Sequence, residues 1–427
     1  MFDSHGFTGQ RTRVNCLWLL PFLVVSLFAA RAASAQPETP SPLPNATTES
    51  VPLGQGVEPS EPPVSVPVLA SPAKRLFYFD QNYGSESQFG ALSVIVSVGF
   101  CVAGKPVGFG IYSPFDVNYL DSARELGRAY TDLRQIPVGY GSYGQWALQE
   151  FVPGFGPAFL PNIALHFLGE GMLSRKLQEY NVAQGMSPGW ARLYAIATVV
   201  VAQQINELIE AKTVPVGDGL ADTVVNNTLG ILAFQFDGFA RLFANDYVRL
   251  YYWPGQPLID VRDAAIYNNS ESYLLRATLG SWTRMKLNLL MGAPSNGLGL
   301  SYPVRGQDTV GVMMLSQMPL VPEYPYVKGP QTARFSYPPA PVRSGGSNAL
   351  PVSPGKAAVR LTWDRDGSLL ATLEFGFPPR LNVVANVYPG FVRVGSVQFG
   401  GYAYADESIR AFGLTLSSLS IMPGLRF

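Results

Sequence analysis

The chain has 427 residues with 30 acidic and 30 basic side chains, so its overall charge does not favour a nucleic-acid partner. Charged residues make up 14 % of the chain, whereas soluble domains usually carry about 25 %, so the composition is typical of a protein with a surface in lipid. After the N-terminus no run of about 20 apolar residues occurs, which argues against an ordinary helical membrane protein.

The N-terminal segment, 1–35, has the features of a cleavable secretory signal. Arginines precede the apolar stretch 16–30, and Ala33 and Ala35 flank a serine in a small-x-small cleavage pattern. The alternative is an anchor that stays attached, but the apolar stretch is too short for a bilayer span. We therefore expect secretion followed by cleavage.

Two segments precede the middle of the chain. Residues 36–75 are rich in Pro, Ser, Thr, Val and Glu, which predicts a disordered periplasmic linker. The segment 76–144 is predicted to hold N-terminal strands and a helix. Its run 91–112 is dense in β-branched residues and glycine, which favours one or two strands or a buried hairpin. Asp116 can cap the helix that follows, and Pro137 ends it.

The segment 145–245 is helical in character. Apolar periodicity and the position of Pro188 predict helices at about 162–180, 188–211 and 219–244. The apolar centre of the second helix is well short of a bilayer span. We expect these helices to pack on protein or to lie at an interface.

The segment 246–427 reads as paired β-strands. From Ser270 onward, apolar and polar residues alternate with a period of two, which places them on opposite faces of a sheet. Asp366-Gly367 between two such runs predicts a hairpin. A Pro-rich stretch at 321–356 predicts a long loop or a domain separator.

This alternation predicts a mixed fold: an antiparallel transmembrane β-barrel of about 8–12 strands with an inserted or preceding α-helical unit. A soluble periplasmic sandwich is the alternative, since alternating strands also build half-buried sheets. The aromatic end of the chain, Phe427, resembles the last strand of outer-membrane proteins. That resemblance implies the outer membrane of a Gram-negative cell, with outer-membrane lipid and the barrel-assembly machinery as partners.

Polar residues form one stripe on each predicted helix of the middle segment. His166 is the one histidine after the predicted cleavage site, and Glu170 lies four residues later on the same face. The second helix carries Glu207 and Glu210 on one face, and the third carries Asp222 with Asn226 and Asn227 nearby. Since burying an unpaired carboxylate is costly, we expect the stripes to face each other or water.

Residues 162–233 carry the sequences LHFLGEGMLS, INELIEAKTVP and DGLADTVVNNTLGIL, in that order. The segment resembles VanZ-like membrane proteins. The matching positions are His166, Glu207, Asp222, Asn227, Thr228 and Gly230, with Asn226 as an alternative register. The resemblance implies a helical packing unit more than an activity.

Three functions are compatible with these features. The first is a non-enzymatic outer-membrane barrel with a structural, binding or narrow-channel role, whose helices plug the lumen or dock on the rim. The second is an envelope lipid-modifying enzyme with His166 as general base and Glu170 or Asp222 as its orienting partner. The third is a metal site at His166, Glu170, Glu207 and Glu210, which lacks the paired Glu-x-x-His motif of helical carboxylate sites. The sequence has no phosphate loop, zinc spacing or dinucleotide fingerprint, so we predict neither cofactor nor metal.

Overall fold

The computed structural model describes residues 75–105, 114, 117–131, 164–210, 222–260, 265–280, 283–293, 295–317, 356–377, 381–394, 397–405, 410–416 and 422–426. The predicted signal segment, nearly all of the predicted linker and Pro-rich loop, and Phe427 lie outside these residues.

Helices form the first half of the described chain. Six are α-helical: α1 (Ala91–Gly99), α2 (Tyr119–Thr131), α3 (Gly171–Ala183), α4 (Pro188–Glu210), α5 (Thr228–Gln235) and α6 (Asp237–Leu242). Two π-helical segments, Ala164–Glu170 and Asp222–Asn227, run directly into α3 and α5. A short 3-10 turn, Gly84–Gln88, precedes α1. Within the described residues, no helix is both long and apolar enough to cross a bilayer.

The strands predicted for the run 91–112 are wrong over Ala91–Gly99, where the chain forms α1. A two-residue strand, β1, follows at Gly104–Lys105, and residues 106–112 lie outside the described part of the chain. Val94 and Val98 are one helical turn apart and fully buried in the main core cluster. Tertiary packing of this face therefore overrides the β-propensity of the individual residues.

The predicted helices of the middle segment are largely confirmed. α4 matches the prediction for 188–211 closely, while the helix predicted at 162–180 begins as a π-helical segment. The helix predicted at 219–244 is broken, because Phe236 has an extended backbone conformation between α5 and α6.

The second half of the chain builds one 14-stranded sheet together with β1. Its remaining strands are β2 (Val248–Tyr252), β3 (Leu258–Asp260), β4 (Ala265–Tyr267), β5 (Glu271–Thr278), β6 (Lys286–Ala293), β7 (Ser295–Arg305), β8 (Asp308–Gln317), β9 (Lys356–Arg365), β10 (Ser368–Gly376), β11 (Asn382–Val394), β12 (Val397–Ala405), β13 (Arg410–Leu416) and β14 (Met422–Arg426). The order is β1-β4-β3-β14-β13-β12-β11-β10-β9-β8-β7-β6-β5-β2, with antiparallel pairing from β14 to β2. The predicted hairpin is confirmed, with Asp366 and Gly367 both at positive φ between β9 and β10.

The large antiparallel sheet with helices confirms the mixed fold class, but the sheet is not closed. β1 and β2 are its two edges, and no ladder joins them among the described strands. The predicted barrel therefore stays a prediction.

The two faces of the sheet differ in polarity, as the paired rows show. One row across β5 to β12 contains Thr278, Lys286, Ser301, Gly311, Thr362, Thr372, Asn386 and Tyr402. The adjacent row, on the opposite face, contains Ala277, Leu287, Leu300, Val312, Leu361, Leu373, Ala385 and Ala403. In the polar row Ser301 and Thr362 are buried, whereas Leu300, Val312 and Leu361 in the apolar row are exposed.

The sheet curls so that the polar face is concave. Arg276 on β5 donates to both carboxylate oxygens of Asp364 on β9, at 2.9 and 2.7 Å. These strands are four positions apart, about 19 Å in a flat sheet. Only a strongly curved sheet brings the two side chains into contact.

The helices pack on the convex face at one end of β5 and β6. Gly169 of the first π-helical segment lies directly under the ring of Tyr273, on the same face of β5 as Leu275. The main core cluster unites helical residues such as Leu173 and Phe234 with Tyr273. α3, α5 and the first π-helical segment therefore lie outside the curve of the sheet, whereas Gln88 of the 3-10 turn donates a hydrogen bond to Thr415 on the concave face.

Candidate functional site

Two π-helical segments carry most of the polar residues that the sequence singles out. The first holds His166 and Glu170, and the second holds Asp222, Asn226 and Asn227. Short π-helical insertions are rare and often occur at functional sites, because they reorient side chains within a helix. The two segments contact each other, so these polar residues meet.

His166 is held between two carboxylates. Its Nδ1 lies 2.8 Å from Oε1 of Glu170, and its Nε2 lies 3.5 Å from Oδ2 of Asp222. Asn226 donates from Nδ2 to the other oxygen of Asp222 at 3.0 Å. All four side chains are buried. The structure thus brings together the three residues that the sequence predicts as a candidate catalytic group.

Glycines allow this close approach of backbone segments. A Cβ atom at Gly230 would lie 2.2 Å from the carbonyl oxygen of Phe167, and one at Gly171 would lie 2.7 Å from the carbonyl oxygen of Gly230. Since real Cβ atoms do not come so close to backbone, larger residues at these positions would push the segments apart. Gly230 therefore has a packing role in this chain.

Electrostatics favour a protonated His166. Burial lowers the pKa of His166, but the carboxylates of Asp222 and Glu170 outweigh this effect and hold the pKa well above its ordinary value. Burial raises the pKa of Glu170, and the imidazolium of His166 opposes that rise. An imidazolium with carboxylates at both nitrogens has no free lone pair, so it is poorly suited to act as a general base.

A third carboxyl group of the cluster comes from the sheet and was missed by sequence reasoning. Glu271, the first residue of β5, is buried and accepts a hydrogen bond from the hydroxyl of Tyr273. It also contributes to the raised pKa of His166. The signal in the sequence that could have identified Glu271 is its position: it is an acidic residue that shares the apolar face of β5 with Tyr273 and Leu275.

Three further polar residues were singled out in the sequence: Glu207, Glu210 and Asn227. Glu207 is buried on α4 and accepts a hydrogen bond from Nε2 of Gln203 at 2.5 Å. Glu210 ends α4, and its side chain is outside the described part of the structure. Asn227 is buried.

Several buried oxygens of this cluster have no hydrogen-bond donor among the residues that the structure describes. They are Oε2 of Glu170, Oδ1 of Asn226 and Oδ1 of Asn227. Such acceptors cost free energy unless a water or a proton satisfies them. This arrangement can hold a proton or a water molecule within the helical unit.

The alternative of a metal site at His166, Glu170, Glu207 and Glu210 includes a side chain, that of Glu210, outside the described part of the structure. The described residues include no group of three His, Cys, Asp or Glu side chains placed to hold a metal ion. A polar cleft of about 550 Å³ opens elsewhere, lined by residues between Tyr78 and Ser93 together with Tyr180 and Gln398. None of the His166 cluster lines this cleft.

Comparison with known proteins gives no relative: the chain matches no family model, no curated protein and no solved structure.

Proposed function

We propose that this protein is an integral outer-membrane β-barrel with a structural, binding or narrow-channel role. The observation that carries the proposal is the polarity of the curved sheet around β7, β8 and β9. There, apolar side chains such as Leu300, Val312 and Leu361 are exposed on the convex face. The concave face buries polar side chains such as Ser301 and Thr362, together with an apolar cluster around Leu290 and Leu315. Lipid-spanning barrels have this arrangement, and soluble sheets have the reverse.

The convex face supports contact with lipid. Leu298 is 55 % exposed, Met314 71 % and Leu414 66 %, on strands β7, β8 and β13. Single exposed apolar residues are ordinary, but rows that continue from strand to strand are not. Hydrocarbon would cover these rows without any cost in polar desolvation.

The concave face supports a filled interior rather than a wide pore. Arg276 with Asp364 crosses the curve of the sheet, and the half-buried Arg360 forms a second ion pair with the buried Glu374 at 2.7 Å. Trp253 donates from Nε1 to the carbonyl oxygen of Gly367 at 2.7 Å. Such contacts fit a structural or binding role, or a narrow channel.

Strand lengths fit the thickness of a bilayer. β8 and β9 have 10 residues each, β7 has 11 and β11 has 13. A tilted transmembrane strand needs about 9–11 residues. The short hairpin β3–β4 lies in the chain between β2 and β5 and pairs with β14, so in this proposal it completes the wall between the two ends of the antiparallel sheet.

The test is the behaviour of the membrane fraction. We expect the protein to remain with outer membranes and to migrate faster on gels before heating than after heating, since folded barrels resist detergent. Release with soluble periplasmic proteins would overturn the proposal in favour of a periplasmic sandwich.

A lipid-modifying enzyme is the second candidate, because His166 and its carboxylates form the densest polar cluster of the helical unit. Residues 162–233 serve in this proposal as a VanZ-like unit. The geometry supports a packing role better, since both nitrogens of His166 are engaged and His166 is buried. His166→Gln separates the two: a folded variant with an altered envelope lipid profile would favour the enzyme, and an unchanged profile would exclude His166 as its base.

A further inference from the structure

We propose that the helical unit itself lies in the membrane interface, with the outward face of α4 in contact with lipid. This inference rests on the barrel proposed above and extends the lipid contact from the strands to the helices.

One face of α4 is apolar and exposed over three turns. Trp190 is 67 % exposed, Leu193 56 % and Val201 50 %, and Tyr194 and Val200 are also exposed. These residues recur at the spacing of one helical face, with Ala197 between them. The charged residue between Trp190 and Val201 is Arg192, which is also exposed and lies at the border of this face, about 100° around the helix from Leu193. A helix face in water normally carries polar side chains instead.

The position of α4 places it on the convex side of the sheet, beyond α3. α3 and the first π-helical segment lie against the convex face of β5 and β6, and α4 packs against α1 and α3 as a further layer. The outward face of α4 is therefore on the same side of the sheet as Leu289 and Leu298. A bilayer that covers those strand residues would extend toward this helix.

The composition of the face favours the edge of a bilayer over a protein partner. Trp and Tyr side chains collect where hydrocarbon meets headgroups, and Trp190 and Tyr194 lie together in the first turns of α4. The aliphatic Leu193, Val200 and Val201 suit the adjoining acyl chains. α5 adds exposed apolar residues of its own, Leu229 and Leu232. The helix is shorter in apolar length than a span, so it would lie along the interface rather than cross it.

Fluorescent labels at single cysteines test this directly in the full chain. Val201→Cys probes the face of α4, Val312→Cys probes the convex face of the sheet, and Asp246→Cys is a control at a fully exposed acidic residue. The native Cys101 is buried, so it should not react with an environment-sensitive maleimide, and Cys16 of the predicted signal segment is replaced by Ser in every variant. Each labelled protein is reconstituted in phosphatidylcholine vesicles and quenched either by nitroxide-bearing lipid or by aqueous iodide.

We expect the labels at Val201 and Val312 to emit at shorter wavelength and to be quenched by the nitroxide lipid, and the label at Asp246 to be quenched by iodide. If the label at position 312 is quenched by the nitroxide lipid while the label at position 201 is quenched by iodide, the inference about α4 fails and the barrel proposal stands. If neither responds to lipid, the barrel proposal fails as well. A Val201 label shielded from both quenchers would show that protein, such as a second copy of the chain, covers α4, and would also overturn the inference.

Discussion

An arginine on the convex face of the sheet should destabilise the protein in a bilayer according to its depth. Val312 is the fifth residue of β8, half exposed, and paired with Leu300 and Leu361 in the apolar row. Replacing it with Arg introduces a charge that an aqueous surface would tolerate and hydrocarbon would not.

The structure sets the size of the effect. A strand of 10 residues such as β8 is about 34 Å long at ~3.4 Å per residue. Tilted by ~45°, it covers about 24 Å, close to the ~25 Å apolar band of known barrels. Val312 then lies near the midplane, where Arg on the lipid face costs about 2–4 kcal/mol. Ser316, on the same face about 10 Å closer to the end of the tilted strand, should tolerate Arg at a cost of about 0–1 kcal/mol.

The assay is urea unfolding of wild type, Val312→Arg and Ser316→Arg in lipid vesicles. We expect the midpoint of Val312→Arg to fall well below that of Ser316→Arg, which controls for the added charge and volume. Surface substitutions in soluble proteins usually change stability by less than about 0.5 kcal/mol. If both variants stay within that range of wild type, the convex face does not contact lipid and the reasoning is wrong.

Three further outcomes follow from the described contacts. His166→Gln should lower the free energy of unfolding by about 3–5 kcal/mol, measured by urea titration, because it leaves two buried carboxylates without their cation. The raised pKa also predicts that the stability from His166 is full below about pH 6.5 and is lost as pH rises through the folded pKa, so the variant should lose this alkaline decline while wild type shows it. Gly169→Ala should cost about 1–3 kcal/mol by overpacking against a tyrosine ring, whereas Gly189→Ala, in open space at the start of α4, should be neutral or slightly stabilising by thermal melts. Arg276→Met should destabilise more than the double change with Asp364→Leu, and equal losses would show that the ion pair does not hold the curve of the sheet.

The sequence predicted the strands best where one local signal was unopposed. Around Asp366 and Gly367, period-two alternation and a turn that needs positive φ agree, and the hairpin β9–β10 forms as predicted. At Val94 and Val98 the signals conflict. β-branched residues favour a strand, but their spacing of four suits a helix whose burial depends on residues far along the chain. Single-residue propensity cannot weigh such long-range packing.

The candidate site shows the same limit. His166 and Glu170 could be paired from sequence, since four residues on a helix share a face. Asp222 could be added only as an expectation from the cost of burying carboxylates, and the structure confirms that it reaches His166. Glu271 could not be assigned, because its membership depends on which face of β5 the helices cover. Local periodicity predicts which residues share one face of a helix or strand. Which element packs on that face depends on the whole fold.

The packing of the two π-helical segments against β5 explains why a charged cluster lies between the helices and the sheet. Three carboxyl groups from the two π-helical segments and β5 surround one imidazole, with several acceptor oxygens still lacking donors. Such a cluster is less stabilising than apolar packing would be. Its ion pairs, however, form only when the helices and the sheet are in register. If the sheet is covered by lipid as proposed, a helical unit on its convex face needs that specificity, since apolar contacts alone would let the unit shift along an apolar face. On this reasoning the cluster fixes the position of the helical unit.

Replacing His166, Glu170 and Asp222 together by apolar residues of similar volume should keep the free energy of unfolding while it loosens the contact of the helical unit with β5. Hydrogen exchange at the two π-helical segments would measure that loosening, and unchanged protection there would contradict it.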